Sequence, residues 1–191
     1  MNLRALSIAG AAAIALPHAV AACAQLSENV WMCDRDTAWE VAAWDAAGDG
    51  STLVLGDLAL SFTEEWPGFE IGDGLATLEE RYATYAEWIA ADGDAPLEVF
   101  QNDRLTFASG SAVRSIQKDT LEGDTFLSAV MLAEVGAFRI MLYLDAPETT
   151  DIANMDTLSR SVLALLHDNC ADPISCADDY QRPDPAANER G

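Results

Sequence analysis

The stretch FLSAVMLAEVGAFRIMLYL, residues 126–144, decides the fold. Phe126, Ser128, Val130 and Leu132 recur at the two-residue period of a strand. Glu134-Val-Gly-Ala137 reads as a turn. Beyond it Phe138, Ile140, Leu142 and Leu144 share one face of a second strand, and Met141 and Tyr143 share the other. A strand that is apolar on both faces must be covered on both, so residues 138–144 predict a central strand of a sheet.

Upstream of this stretch the chain carries more short β runs with turn signals between them. Leu97 to Phe100 precedes Gln-Asn-Asp, Arg104 to Ala108 precedes Ser-Gly-Ser, and Ala112 to Gln117 leads into a polar loop from Lys118 to Asp124. Earlier still, Leu53-Val54-Leu55, the pair Gly56-Asp57 and the alternating Leu58, Leu60 and Phe62 read as a hairpin with a Gly-X turn, ended by Trp66-Pro67-Gly68.

Two segments change to the helical period. Thr77 and Glu80 are spaced as a capping box, and Leu78, Tyr82, Tyr85 and Ile89 form one apolar stripe ahead of the stop Asp92-Gly93-Asp94. After the last strand Met155, Leu158, Val162 and Leu165 form a second stripe, widened by Leu163 and Leu166. Asp151 and His167 sit at the ends where the helix dipole favours them, and Asp156 and Arg160 make an i,i+4 pair. The sum is an α+β fold: an antiparallel sheet of about 6–7 strands, hairpin then meander, packed with helices over about 77–91 and 151–167.

The ends of the chain speak to location. Arg4, the apolar run Leu6 to Leu16 and the small-x-small sites at Ala19-Val-Ala21 and Ala22-Cys-Ala24 read as a cleaved secretory signal peptide over residues 1–21. Val20-Ala-Ala-Cys23 also resembles a bacterial lipobox, which makes Cys23 a lipidation candidate and a lipid anchor the alternative to a free form. The remainder divides into a Trp-rich arm over 22–50, an α+β domain over 51–170 and a polar tail over 171–191 that lacks any apolar period. The expected location is therefore periplasmic or secreted.

The chain carries a net charge of −22, and removal of the leader, which holds one base and no acid, makes it more negative still. A surface of this sign is repelled by nucleic acid and by anionic headgroups, which excludes DNA and RNA as partners. The acidity reads as a solvated face, with affinity for cations or for a basic partner as the sharper reading.

The four cysteines are Cys23, Cys33, Cys170 and Cys176. In an exported chain they are disulfide candidates with three connectivities open, the simplest joining Cys23 to Cys33 and Cys170 to Cys176. Zinc bound by His167, Cys170, Cys176 and Cys33 is the competing reading. In the arm, Trp31, Trp39 and Trp44 are spaced so that a helix would scatter them, and they are expected to anchor it to the core one at a time.

No catalytic motif emerges. There is no G-x-S-x-G elbow, P-loop or G-x-G-x-x-G, so no cofactor is implied. Glu64 and Glu65 beside Trp66 could be drawn as a carboxylate hydrolase pair, although 32 acids make some such pair inevitable. Asp45-x-x-x-Asp49-Gly50 matches part of a calcium loop but puts Ala47 and Gly56 where ligands belong. Arg104, Arg114 and Arg139 lie on predicted strands, where they could cluster around an anion or neutralise local carboxylates.

The order of elements resembles the PsbP-like superfamily over about residues 51–168. The resemblance rests on Leu55-Gly56-Asp57 at the hairpin, on the strand Phe138-Arg139-Ile140-Met141-Leu142-Tyr143-Leu144 and on the helix after it. It implies a non-catalytic accessory or binding domain and carries over no functional residue. The expected function is an accessory or binding domain of the bacterial cell envelope, with an envelope protein or small ligand as partner. A carboxylate-dependent hydrolase and a calcium-responsive acidic module are the alternatives.

Overall fold

A computed structural model describes residues 23–34, 37–45, 51–64, 77–93, 96–121 and 123–168. The arm contributes β1 (Cys23–Gln25), β2 (Val30–Cys33), a 3-10 turn (Ala38–Val41) and β3 (Ala43–Trp44). Strands β4 (Thr52–Leu55) and β5 (Leu58–Glu64) precede helix α1 (Leu78–Asp92). Then come β6 (Glu98–Phe107), β7 (Gly110–Leu121), β8 (Asp124–Val135), β9 (Phe138–Pro147), helix α2 (Ile152–Ala164) and β10 (Leu166–Asp168).

The main sheet has seven strands in the order β3-β4-β5-β9-β8-β7-β6, all antiparallel. The two-faced strand β9 is the fourth of the seven, the central place its sequence predicts. The hairpin closes through Gly56, whose φ of 61° is the left-handed conformation that a β-carbon disfavours, with Leu55 paired to Leu58. The sheet is covered on both sides. Leu78 and Tyr82 of α1 cover Val113, Val130, Leu132 and Met141 on one face. Met155, Val162 and Leu163 of α2 join the alternate residues Ile116, Met131 and Leu142 in the larger core on the other.

Helix α1 begins as its sequence dictates. Thr77 Oγ1 accepts from Glu80 N at 3.2 Å, and the Glu80 carboxylate accepts from Thr77 N at 2.8 Å. The backbone N–H of Thr77 and its hydroxyl, which also donates to Glu80 Oε2 at 3.0 Å, hold the Glu80 carboxyl below its ordinary range.

Three boundaries differ from the sequence expectations, each because a tertiary partner outweighs a local signal. Helix α2 ends at Ala164, short of the predicted 167, and Leu166–Asp168 pairs with β2 instead. The fully buried Leu166 is taken into the core by that pairing, and Cys33 N donates to Leu165 O at 2.8 Å. His167 therefore lies opposite Trp31 in a ladder and not on a helix end. Gln101-Asn-Asp103 does not break the chain, because Asp103 is bonded by Arg114 across the ladder; the irregularity is confined to a register shift between Val99 and Gln101. The supposed loop after Gln117 is strand, closed by a turn through Gly123, with Thr120 paired to Thr125.

Strands β1, β2 and β10 form a second, three-stranded sheet, so the beginning and end of the described chain are neighbours. Leu26, Val30 and Met32 add to the core on the α2 side. The three arm tryptophans take separate places: Trp39 is buried in that core, Trp44 meets Phe62 edge-on at 5.8 Å, and Trp31 lies against Cys23 and Cys33.

Candidate functional site

Among the described residues, strand length and helix length together leave part of the sheet open. A 15-residue helix is about 22 Å long, whereas 12-residue strands run about 40 Å. The even positions of β8 and the odd positions of β7 and β9 face α1. Where α1 covers them they are apolar, as at Val130, Leu132 and Met141. Toward the α1 C-terminus, where Gly93 N donates to Ile89 O, the same rows turn polar at Ser128, Asp119 and Asp145.

The result is a half-open groove of about 290 Å³. Ser128, Tyr143, Asp145, Ile89, Phe126 and Asp119 are among the residues that line it. Asp145 and Ser128 are register partners, and the Ser128 hydroxyl donates to Asp145 Oδ1. Burial pushes the Asp145 carboxyl up, against that bond, and the neighbouring charge of Asp119 adds to the rise. The Tyr143 phenol is also raised, first by burial and then by Asp145.

Behind the groove a polar chain runs under α1. The Tyr82 hydroxyl and Ser115 Oγ are 2.6 Å apart, and Ser115 Oγ donates to Gln117 Oε1 at 2.7 Å. Gln117 is 3% exposed and its Nε2 has no bonding partner.

The opposite face holds a saturated charge network. Arg114 is wholly buried and donates to both oxygens of Asp103, to Asp156 Oδ1 at 2.6 Å and to Ser159 Oγ at 2.6 Å. Arg160 adds bonds of 3.0 Å to both Asp156 oxygens, and these, with Arg114, hold the Asp156 carboxyl below its ordinary range. This network ties α2 to β6 and β7 and leaves no charge over for a ligand.

The residues singled out from sequence are dispersed. Arg104 and Arg114 lie on opposite faces, and each of the three arginines is committed to carboxylates: Arg104 to Glu79, Arg114 to Asp103 and Asp156, and Arg139 to Glu134. They do not converge on an anion. Cys23 and Cys33 are paired across β1 and β2 and joined by a disulfide, which removes Cys33 from the zinc set. Cys170 and Cys176 lie outside the described residues, as do residues 46–50 of the calcium-like loop, Glu65, Trp66, the leader and the tail. Glu64 is described in its backbone alone. Among the described residues no group of three or more His, Cys, Asp or Glu is placed to share a metal ion, and no helix is long and apolar enough to cross a membrane.

Sequence reasoning missed the groove. Its traces were a serine inside the apolar alternation of residues 126–132 and an aspartate following Leu144. Neither marks a site until the end of α1 is placed above it.

No protein-family model and no curated protein matches the chain. A solved structure does: the cyanobacterial PsbP (CyanoP) of Synechocystis sp. PCC 6803, at a TM-score of 0.52 and 11% identity, over 85% of this chain and 99% of that one. The chain has a PsbP-like α+β fold.

Proposed function

We propose that the chain is an exported, non-catalytic accessory or binding domain of the bacterial cell envelope. The observation that carries the binding reading is the groove on the α1 face, a preformed, half-open hollow on rigid strands with polar groups on an otherwise apolar lining. Its polar groups are bonded to one another in a way that suits holding rather than reacting. Ser128 is buried, and its hydroxyl is engaged with Asp145, with no imidazole among the described residues that line the groove. The PsbP-like fold is consistent with an accessory role.

The disulfide of Cys23 with Cys33 supports passage to an oxidising compartment, as does the leader-like run over residues 1–21. A sulfur held in a disulfide cannot carry a thioether-linked lipid. Cleavage after Ala21 in a free form is therefore favoured over lipidation at Cys23, leaving the arm at 22–50, the domain at 51–170 and the tail at 171–191. Cys170 and Cys176 would then form the second disulfide.

The test is capture of the tagged, full-length chain from cells after crosslinking in the envelope. A specific envelope protein should be recovered, and excess untagged chain should displace the tagged copy from it. Recovery of the chain alone, from a cytosolic fraction, overturns the reading.

A further inference from the structure

We propose that the α1-face groove binds a small organic cation, an alkylammonium or guanidinium group on a short apolar chain. The inference rests on the binding reading above and names the chemistry of the ligand.

The first support is a charge that is left unpaired where several comparable ones are paired. Three partly buried acids, Asp103, Asp156 and Glu134, are each held by an arginine. The exposed Glu79 and Glu148 have Arg104 and Lys118. Among the described residues Asp145 has the hydroxyl of Ser128 and no basic partner, and no Lys, Arg or His lines the groove. Asp119 is near enough for its charge to be felt at Asp145, from β7 on the same face. Two carboxylates in a partly desolvated hollow attract a cation more strongly than the same pair on an open surface.

The second support is independent of the acids. Gln117 is 3% exposed, faces the groove side of β7 and lies directly opposite Ser128. Its Oε1 is turned to Ser115, which leaves Nε2 turned away from that residue and unbonded. Whichever way the amide is flipped, one polar end lacks a partner; it lies just behind the lining, next to Ser128, and a polar ligand atom that reached past Ser128 would relieve that cost.

The third support is the lining. Tyr143 and Phe126 present aromatic rings, which attract cations across their faces, and Ile89 offers apolar contact for a carbon chain. A metal ion, which keeps its hydration shell, would gain nothing from the contact with Ile89. The ligand group could be carried by a free amine or by the Lys or Arg side chain of a partner.

The test uses the full chain, with side-chain and amide NMR shifts followed during titration with butylammonium, butylguanidinium, neutral butanol and the peptide Gly-Lys-Gly. Saturable shifts at Ser128, Gln117 and Tyr143 are expected for the cations and not for butanol. Asp145→Asn, which keeps an acceptor for Ser128, should weaken binding at least tenfold, and Asp119→Asn should weaken it less. Asp124→Asn, an equal charge change at an exposed site outside the lining, should leave binding unchanged. Tighter binding of the peptide than of butylammonium supports a partner's side chain as the source, and the reverse supports a free amine. Shifts that never saturate, or that respond equally to Asp145→Asn and Asp124→Asn, show diffuse attraction to a chain of charge −22 and overturn the proposal. Capture of an envelope partner can succeed through another surface in that case, so the two failures are distinguishable.

Discussion

Arg114 and Asp103 face each other across the β6–β7 ladder and share two parallel hydrogen bonds, Nε to Oδ1 at 3.1 Å and Nη2 to Oδ2 at 2.9 Å. The guanidinium is wholly buried beneath α2 and also holds Asp156 and Ser159. Replacing it with an apolar side chain strips Asp103 of its bidentate partner and leaves Asp156 to the half-exposed Arg160, while the packing above them stays in place. Arg114→Met should cost about 3–5 kcal/mol, the usual scale for breaking a buried ion pair from one side. Asp156→Ala should cost less, because Arg114 keeps Asp103. Urea unfolding of the two variants checks the order.

The disulfide of Cys23 with Cys33 closes a short loop at the edge of the small sheet. A crosslink spanning 10 residues should contribute about 2–3 kcal/mol by restricting the unfolded chain. The double variant Cys23→Ser with Cys33→Ser should therefore melt roughly 5–10 °C below the parent. The double variant is the cleaner measurement, since a reductant would also act on the disulfide proposed between Cys170 and Cys176.

Asp34 follows Cys33 and is nearly buried, with Oδ1 unbonded. Burial pushes its carboxyl up to about 6, and the charge of Glu40 adds to the rise. Because the folded state binds this proton more tightly than the unfolded chain, Asp34 contributes stability that is complete below the ordinary carboxylate range. That contribution is lost as the pH rises through about 6. Asp34→Asn should be more stable than the parent at pH 7.5, by about 1–2 kcal/mol, with the gap closing toward pH 5. Equal gaps at both pH values would mean that Asp34 does not titrate there.

Gly110 and Gly123 separate steric from conformational cost. A β-carbon on Gly110 would stand 1.7 Å from the backbone oxygen of Glu134, so β7 and β8 would have to part at their Gly110–Val135 pair. A β-carbon on Gly123 meets nothing within 4 Å, but the residue has φ of 88°. Gly110→Ala should cost about 1–3 kcal/mol or more. Gly123→Ala should cost about 1 kcal/mol, the scale of a left-handed conformation. Thermal melts of the two should keep that order.

What could be read from sequence tracks how local the cause is. Thr77 and Glu80 determine the start of α1 within one turn, and the two-sided apolarity of residues 138–144 places β9 centrally, so both were legible. The end of α2 was not. Leu165 and Leu166 continue a helical stripe, and the decision to leave it is made by β2, more than 130 residues away. Gln101-Asn-Asp103 has the composition of a turn and is held in strand by Arg114. The groove was least legible of all, because Asp119, Ser128 and Asp145 come from three strands, and only the end of α1 leaves them uncovered.

Export and oxidation of the first cysteine pair go together in the function proposed for this chain. The intact mass of the native chain from fractionated cells, taken with and without reduction, tests this most directly. The predicted result is a periplasmic or secreted species lacking residues 1–21, carrying no lipid, that gains the hydrogens of its disulfides on reduction. A cytosolic species with the leader attached and every thiol free would contradict it.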